Sequence, residues 1–125
     1  MARTSQITIR PGAELAVSGD TLVITLKADL DHHNAASIRE CADQLLSQEG
    51  IRHVVFDFTG VEFMDSSGIG VIMGRYKQVI FTGGKAAVCG VGAAVDRIFQ
   101  FSGIYKIIDR YRTAEEAVRA LSGQA

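Results

Sequence analysis

Two adjacent serines follow an aspartate at the start of a helical pattern, in the string Asp65-Ser66-Ser67-Gly68. Aspartate and serine are preferred helix N-caps, because their side-chain oxygens accept hydrogen bonds from the unpaired N–H groups of the first turn. The N-terminus of a helix also carries about half a positive charge, which makes it a natural site for phosphate. The hydroxyl of Ser66 or Ser67 could therefore cap a helix or carry a phosphoryl group.

A phosphate attached covalently fits this string better than a free anion. Asp65 would repel a free anion, and two serines are more than a cap requires. A phosphoryl group adds about −1.5 to −2 charges and three acceptor oxygens, so beside Asp65 it would repel an acidic partner surface. The string therefore indicates a site that is switched off by gaining an anion, with a plain helix cap as the alternative.

The glycines at positions 68, 70 and 74 form a string that resembles a dinucleotide-binding fingerprint. That fingerprint needs its first glycine in the tight turn directly after a strand, whereas the predicted strand ends at Phe58, well before Gly68. Gly70 and Gly74 are more typical of a helix that packs closely on a neighbour. A sensor that binds nucleotide or phosphate at this helix N-terminus is the second interpretation.

Two acids and two histidines, Asp29, Asp31, His32 and His33, form the one cluster that resembles a metal site. Adjacent residues at a strand-to-helix turn point apart, and metal-dependent phosphoesterases with such a triplet need further ligands, whereas the remaining histidine is His53. We therefore predict no metal and no other cofactor, and interpret the cluster as a loop whose acid caps the next helix.

Nucleophilic hydrolysis by Ser66 would require a base held beside the hydroxyl. The G-x-S-x-G elbow of serine hydrolases is absent, because Met64 and Asp65 precede the serine. The histidines could act as the base only through a geometry that the sequence does not specify. A hydrolase is the third interpretation, and we predict that the protein is not an enzyme.

The chain has 125 residues, of which 47% are apolar and 22% charged, and a formal net charge of −1. This length is typical of one domain, and this charge argues against non-specific binding of nucleic acid or anionic membranes. No apolar run is long enough to span a membrane, and the N-terminus lacks the apolar core of a signal peptide, so we expect a cytoplasmic protein. Cys41 and Cys89 lie in apolar contexts, which predicts buried free thiols.

The apolar patterns predict a β-hairpin followed by alternating helices and strands, which is an α/β fold with a mostly parallel sheet. Ile7–Ile9 could be a frayed leader or an edge strand. The predicted strands are Glu14–Ser18, Thr21–Lys27, Val54–Phe58, Lys85–Val91 and Ile104–Ile108. The predicted helices run from near Asn34 to Gly50, from Ser66 to Gly83, over Ala93–Phe101, and from Thr113 to Leu121.

The helix after Ser66 has apolar residues three and four apart, which predicts that Ile72, Met73, Tyr76, Val79 and Ile80 form its inner face. The basic residues are scattered singly, the pattern of a solvated surface. This set is Arg75, Lys77, Lys85, Arg97, Arg110 and Arg112.

Four separated strings, in this order, resemble the anti-sigma-factor antagonists, small proteins built on the STAS domain. The resemblance is closest to the sporulation antagonists of endospore-forming bacteria and covers roughly residues 14 to 120. The strings are Leu30-Asp31-His32-His33, Ile51-Arg52-His53, the stretch 63–77 around the two serines, and the stretch 102–108.

The resemblance implies one STAS domain over residues 13–125, preceded by an N-terminal extension at residues 1–12. It implies a mixed four- to five-stranded sheet flanked by helices, and no catalysis by this protein. The family's loop before the first helix usually begins Gly-Glu, whereas this chain has Ala28-Asp29.

The resemblance also implies a switch at Ser66. In the family, the unphosphorylated form binds an anti-sigma factor that is itself an ATP-dependent serine kinase, and so releases the sigma factor. The kinase then phosphorylates the serine that matches Ser66, which ends the complex, and a metal-dependent phosphatase restores the unmodified form. The residues implied to bind the partner are Asp31, Asp65, Ser67, Gly68 and Ile69.

Overall fold

The computed structural model describes the backbone of residues 4–123 and the side chains of residues 7–123. The fold is a six-stranded sheet with four α-helices. The strands are β1 (Thr4–Arg10), β2 (Ala13–Ser18), β3 (Thr21–Leu26), β4 (His53–Asp57), β5 (Ala86–Cys89) and β6 (Asp109–Tyr111). The helices are α1 (His32–Leu46), α2 (Ser66–Phe81), α3 (Ala93–Ser102) and α4 (Ala114–Leu121).

The strands lie side by side in chain order, β1-β2-β3-β4-β5-β6. The first three pair antiparallel and the last four pair parallel, so the sheet is mixed as predicted. The hairpin between β2 and β3 turns at Gly19, whose φ of 62° lies in the left-handed region that glycine adopts freely. The predicted α/β fold with a hairpin followed by parallel strands is confirmed.

The sheet is covered on both faces around β4. Val54 and Phe56 belong to the larger core cluster, which also contains the buried apolar side chains of α1, α2 and α3. Val55, between them, belongs to a second cluster with Ala117 and Leu121 of α4. Because side chains alternate along a strand, β4 is buried on both sides, as its continuous apolar run predicts.

The strand count was predicted too low, because the N-terminal segment pairs into the sheet. Ile7–Ile9 lie within β1, which is an edge strand paired antiparallel with β2 over Ile7↔Ala16 and Ile9↔Glu14. The predicted strands Glu14–Ser18 and Thr21–Lys27 correspond closely to β2 and β3. With β1 and β6, the sheet has six strands rather than four or five.

The predicted strand at Ile104–Ile108 is wrong. Ile104–Lys106 form a turn of 3₁₀ helix, and the N–H of Ile108 donates to the carbonyl of Ile104 at 2.9 Å. This places Ile104 and Ile108, both buried, one helical turn apart. Pairing with β5 begins only afterwards, at Ala87↔Asp109, so the last strand lies further along the chain than predicted.

Helix α2 buries most of its predicted inner face, and the exception is Ile80. Its buried residues include Val71, Ile72, Arg75 and Val79, whereas the side chain of Ile80 is 47% exposed. Arg75 was expected at the surface. It can be buried because its Nε lies 2.9 Å from Oδ1 of Asp43 on α1. The carboxylate compensates the positive charge of the guanidinium between the two helices.

Gly70 and Gly74 do not bring α2 close to a neighbour within the described chain, and that prediction is wrong. A Cβ atom added at either position would meet no atom within 4 Å. The predicted buried thiols are confirmed, since Cys41 and Cys89 are both free and buried. Burial raises the pKa of the Cys89 thiol to about 12. Within residues 4–123, no helix is both long enough and apolar enough to cross a bilayer.

Candidate functional site

The first turn of α2 follows the loop after β4. Asp65 is the N-cap, with extended backbone, and its Oδ1 accepts a hydrogen bond from the N–H of Ser67 at 2.8 Å. Of the aspartate and serines predicted as possible caps, Asp65 caps the helix, and neither serine hydroxyl is needed for that purpose. Ser66 is the first residue of α2 and its side chain is exposed, while Ser67 and Ile69 are partly exposed.

Gly68 fixes the position of this turn against the core. An added Cβ would lie 2.7 Å from the sulfur of Met64 and 3.2 Å from Cδ2 of Leu30, both of which are buried side chains. Gly68 itself is buried, unlike Ser66 two positions earlier. Its absent side chain lets the first turn lie directly on the core, which holds Ser66 at the surface.

The first turn of α1 lies beside that of α2 and is also capped by an aspartate. Oδ1 of Asp31 accepts hydrogen bonds from the N–H groups of His33 at 2.8 Å and Asn34 at 3.3 Å. In return, Oδ1 of Asn34 accepts from the N–H of Asp31 at 3.1 Å, which completes a capping box. The bond from the His33 N–H holds the pKa of Asp31 below its usual range.

Backbone contacts join the loops that precede the two helices. Leu30 and Met64 form an isolated parallel bridge, and the N–H of Asp65 donates to the carbonyl of Leu30 at 3.3 Å. Asp31 and Asp65, the residues that follow these two, are therefore held side by side. The two caps and the exposed Ser66 form one surface at the carboxyl ends of β3 and β4.

Asp29 is a residue of this site that the sequence did not identify correctly. Its Oδ1 accepts hydrogen bonds from the N–H groups of Glu62 and Phe63, both at 3.0 Å. The carboxylate therefore clamps the loop that leads to α2 onto the loop that leads to α1. Because the bonded residues lie 33 and 34 positions apart, no local pattern could have indicated this role.

The histidines divide between this surface and the opposite end of the sheet. Nδ1 of His32 lies 3.9 Å from Oδ2 of Asp65, so His32 approaches the cap next to Ser66. His53 stands at the start of β4, where its Nδ1 accepts from the N–H of Lys85 at 3.0 Å and its Nε2 lies 3.5 Å from Asp20. Burial lowers the pKa of His53, which favours the neutral ring that this hydrogen bond requires.

The carboxylates near Ser66 accept hydrogen bonds from backbone N–H groups. Asp29, Asp31 and Asp65 each accept at least one backbone N–H. Among the residues that the structure describes, no group of three or more histidine, cysteine or acidic side chains could hold a metal ion. The surface is therefore arranged to present a hydroxyl beside a capping carboxylate.

Comparison with known proteins gives concordant results for sequence and fold. The STAS domain family matches residues 12–117. The chain is 38% identical over 100 residues to the anti-sigma F factor antagonist of Paenibacillus polymyxa, covering 80% of this chain and 86% of that protein. It is 32% identical over 88 residues to the anti-sigma F factor antagonist of Lysinibacillus sphaericus, covering 70% and 75%.

Two solved structures of the antagonist SpoIIAA share the fold. The unphosphorylated form has a TM-score of 0.70 at 26% identity, covering 94% of this chain and 97% of that one. The phosphorylated form of the Bacillus protein has a TM-score of 0.68 at 29% identity, covering 92% and 96%.

Proposed function

The chain belongs to the anti-sigma factor antagonists of the STAS domain family, and we propose that phosphorylation of Ser66 controls its binding to an anti-sigma factor. In this proposal the unmodified surface around Ser66 binds an anti-sigma factor that is also a serine kinase, and the sigma factor is released. Transfer of the γ-phosphoryl group of ATP to the Ser66 hydroxyl then ends the complex. A metal-dependent serine phosphatase returns the protein to its binding form.

The observation that carries the proposal is the exposure of Ser66 at the first position of a capped helix. A kinase must reach the hydroxyl oxygen, and the side chain that caps the helix is Asp65, which leaves this hydroxyl free of that role. The solved phosphorylated form of SpoIIAA supports the proposal, because a similar protein carries a phosphate.

We expect phosphorylation of Ser66 to act at the contact surface, without refolding. Reducing affinity a hundredfold to a thousandfold takes about 3–4 kcal/mol, at about 1.4 kcal/mol per factor of ten. One phosphate beside the carboxylate of Asp65 can supply this through repulsion of an acidic partner surface and through imperfect desolvation. Asp31, Ser67 and Ile69, on the same surface, would lie at the contact with the partner, whereas Gly68 would act by holding the turn in place.

Phosphorylation by the cognate anti-sigma factor tests the proposal directly. The purified protein is incubated with that kinase, ATP and magnesium, and intact-mass spectrometry counts the phosphates. We expect one phosphate on the wild type, none on Ser66→Ala, and one on the matched control Ser67→Ala.

Three results would argue against the switch. Phosphate on Ser67 alone would place the modification at the wrong serine. Nucleotide binding without any transfer would favour a sensor. Equal affinity of Ser66→Ala and phosphorylated wild type for the anti-sigma factor would show that the modification does not control binding.

A further inference from the structure

One face of α2 begins at Ser66 and is exposed along its length except at Gly74, which is partly buried. The residues on this face recur three or four positions apart, the spacing of one helical face. At its far end Phe81 is 92% exposed, an unusual position for a large apolar side chain. The face consists of Ser66, Gly70, Gly74, Lys77 and Phe81.

The two glycines of this face are not explained by packing within the described chain. Glycine destabilises a helix interior relative to alanine, because it has more backbone freedom to lose on folding. An added Cβ at Gly70 or Gly74 would meet no atom within 4 Å, so alanine would fit at both positions. The bare backbone is therefore available to a surface that lies outside this chain.

A groove between α1 and α2 adjoins the C-terminal half of this face. It has a volume of about 580 Å³ and will be called the α2 groove. Gly74 and Phe81 contribute to its lining, together with the buried Arg75. Its lining residues are Asp43, Gly74, Arg75, Lys77, Gln78, Phe81 and Thr82.

Arg75 lines the α2 groove and is paired with Asp43. Its side chain is only 8% exposed, and its Nε lies 2.9 Å from Oδ1 of Asp43. The ion pair therefore compensates the charge of Asp43 beside the groove.

The charges of the α2 groove favour an acidic occupant. The carboxylate of Asp43 is matched by Arg75, which leaves Lys77 uncompensated. Lys77 is exposed and makes no ion pair within the part of the chain whose side chains are described. The groove therefore presents one net positive charge beside the apolar ring of Phe81.

We propose that the contact surface for the anti-sigma factor continues from Ser66 along this face of α2, and that an acidic segment of the anti-sigma factor lies in the α2 groove with an apolar side chain against Phe81. This inference rests on the proposed function. At a rise of 1.5 Å per residue, Ser66 and Phe81 are about 22 Å apart along the helix. A stable interface, with about 800 Å² buried on each partner, spans that distance.

Two exposed phenylalanines provide a matched pair of variants. Phe81 is 92% exposed, and Phe101 at the end of α3 is 90% exposed. Phe81→Ser should weaken binding of the unmodified protein to the anti-sigma factor by roughly tenfold to thirtyfold, the effect of one apolar anchor. Phe101→Ser should leave the affinity unchanged. Surface plasmon resonance with immobilised anti-sigma factor measures both, and circular dichroism establishes that both variants are folded.

A second pair of variants tests the charge. Lys77→Glu should weaken binding, and the loss should shrink as salt is raised, because exposed charges are screened. Arg97→Glu makes the same charge change at an exposed position on α3 and should have no such effect.

The failure of this inference differs from the failure of the proposed function. If the wild type neither binds the anti-sigma factor nor receives phosphate on Ser66, the proposed function fails and the inference with it. If the wild type does both, but the Phe81 and Phe101 variants bind equally well, the inference alone is overturned. It is also overturned if Phe81→Ser changes only self-association in analytical ultracentrifugation, since the occupant would then be a second copy of this chain.

Discussion

The N-termini of α1 and α2 lie side by side and are both capped by aspartate, yet they are built differently. At α1, Asp31 accepts two backbone N–H groups and Asn34 closes a capping box. At α2, Asp65 accepts one N–H group, from Ser67, and the next side chain is the exposed hydroxyl of Ser66.

The cap of α1 uses polar side chains of its first turn, whereas the cap of α2 leaves the Ser66 hydroxyl available. The capping box pairs N–H groups in the first turn of α1 with side chains of the same chain, so the Asp31 carboxylate is required by the fold in addition to any contact with the partner. The simpler cap of α2 stabilises the helix while the adjacent hydroxyl faces solvent. We therefore expect changes at Asp31 to lower folding stability as well as binding, and changes at Ser66 to affect mainly binding.

The largest expected effect is on binding, at Ser66. Ser66→Asp should weaken binding to the anti-sigma factor by about a hundredfold, close to 3 kcal/mol, because it places a second negative charge beside Asp65. Ser66→Ala should bind as tightly as the unmodified wild type and stay bound in the presence of ATP. Isothermal titration calorimetry measures the affinities, and equal values for the two variants would contradict the contrast between the helices.

Asp29 should have the next largest effect, because it clamps the two loops together. Asp29→Ala should lower the hydrogen-exchange protection of the Glu62 and Phe63 amides by about tenfold, as expected for one lost hydrogen bond each. Asp29→Asn keeps an acceptor oxygen and should retain most of the protection. If protection at both amides is the same in all three proteins, the clamp does not hold the loop to α2.

Removing the caps tests the comparison on stability. Asp65→Ala should lower the free energy of unfolding by about 0.5–1 kcal/mol, the usual effect of one N-cap. Asp31→Ala should lower the urea midpoint further, because two N–H groups lose their acceptor and the capping box is lost. Equal midpoints for the two variants would mean that the capping box adds nothing.

Gly70→Ala should raise the stability of the protein and lower its affinity for the anti-sigma factor. The change should raise the free energy of unfolding by up to about 1 kcal/mol, because alanine fits without contact and costs less backbone entropy. In calorimetry the same variant should bind the anti-sigma factor more weakly, since the methyl group occupies the bare backbone. A variant that is stabilised but binds normally would show that the partner does not approach this turn.

The smallest expected effect is the pH dependence that Asp31 contributes. Hydrogen bonding to the His33 N–H lowers the pKa of Asp31 in the folded protein below 3.8. The stabilisation is therefore fully present above the unfolded value and is lost as pH falls through the folded value. Asp31→Asn still caps the helix but does not titrate, so its urea midpoint should fall less than that of the wild type below about pH 4. Parallel pH profiles for the two proteins would contradict this assignment.

Local features of the sequence predicted most of the fold and narrowed the candidate hydroxyl to two adjacent serines, and the family resemblance favoured Ser66. The hairpin at Gly19, the apolar run of β4 and the cap at Asp65 depend on residues within a few positions of one another, so their patterns were sufficient to predict them. The exposed position of Ser66 also depends on the packing of Gly68 against Leu30, which lies 38 positions earlier in the chain.

Contacts between distant segments decided the rest. The turn of 3₁₀ helix at Ile104 in place of a strand and the burial of Arg75 against Asp43 each depend on what another element supplies. The clamp from Asp29 to Phe63 joins residues 34 positions apart. A sequence pattern records the spacing within one element, whereas hydrogen bonds and ion pairs between elements depend on where the folded chain brings them together.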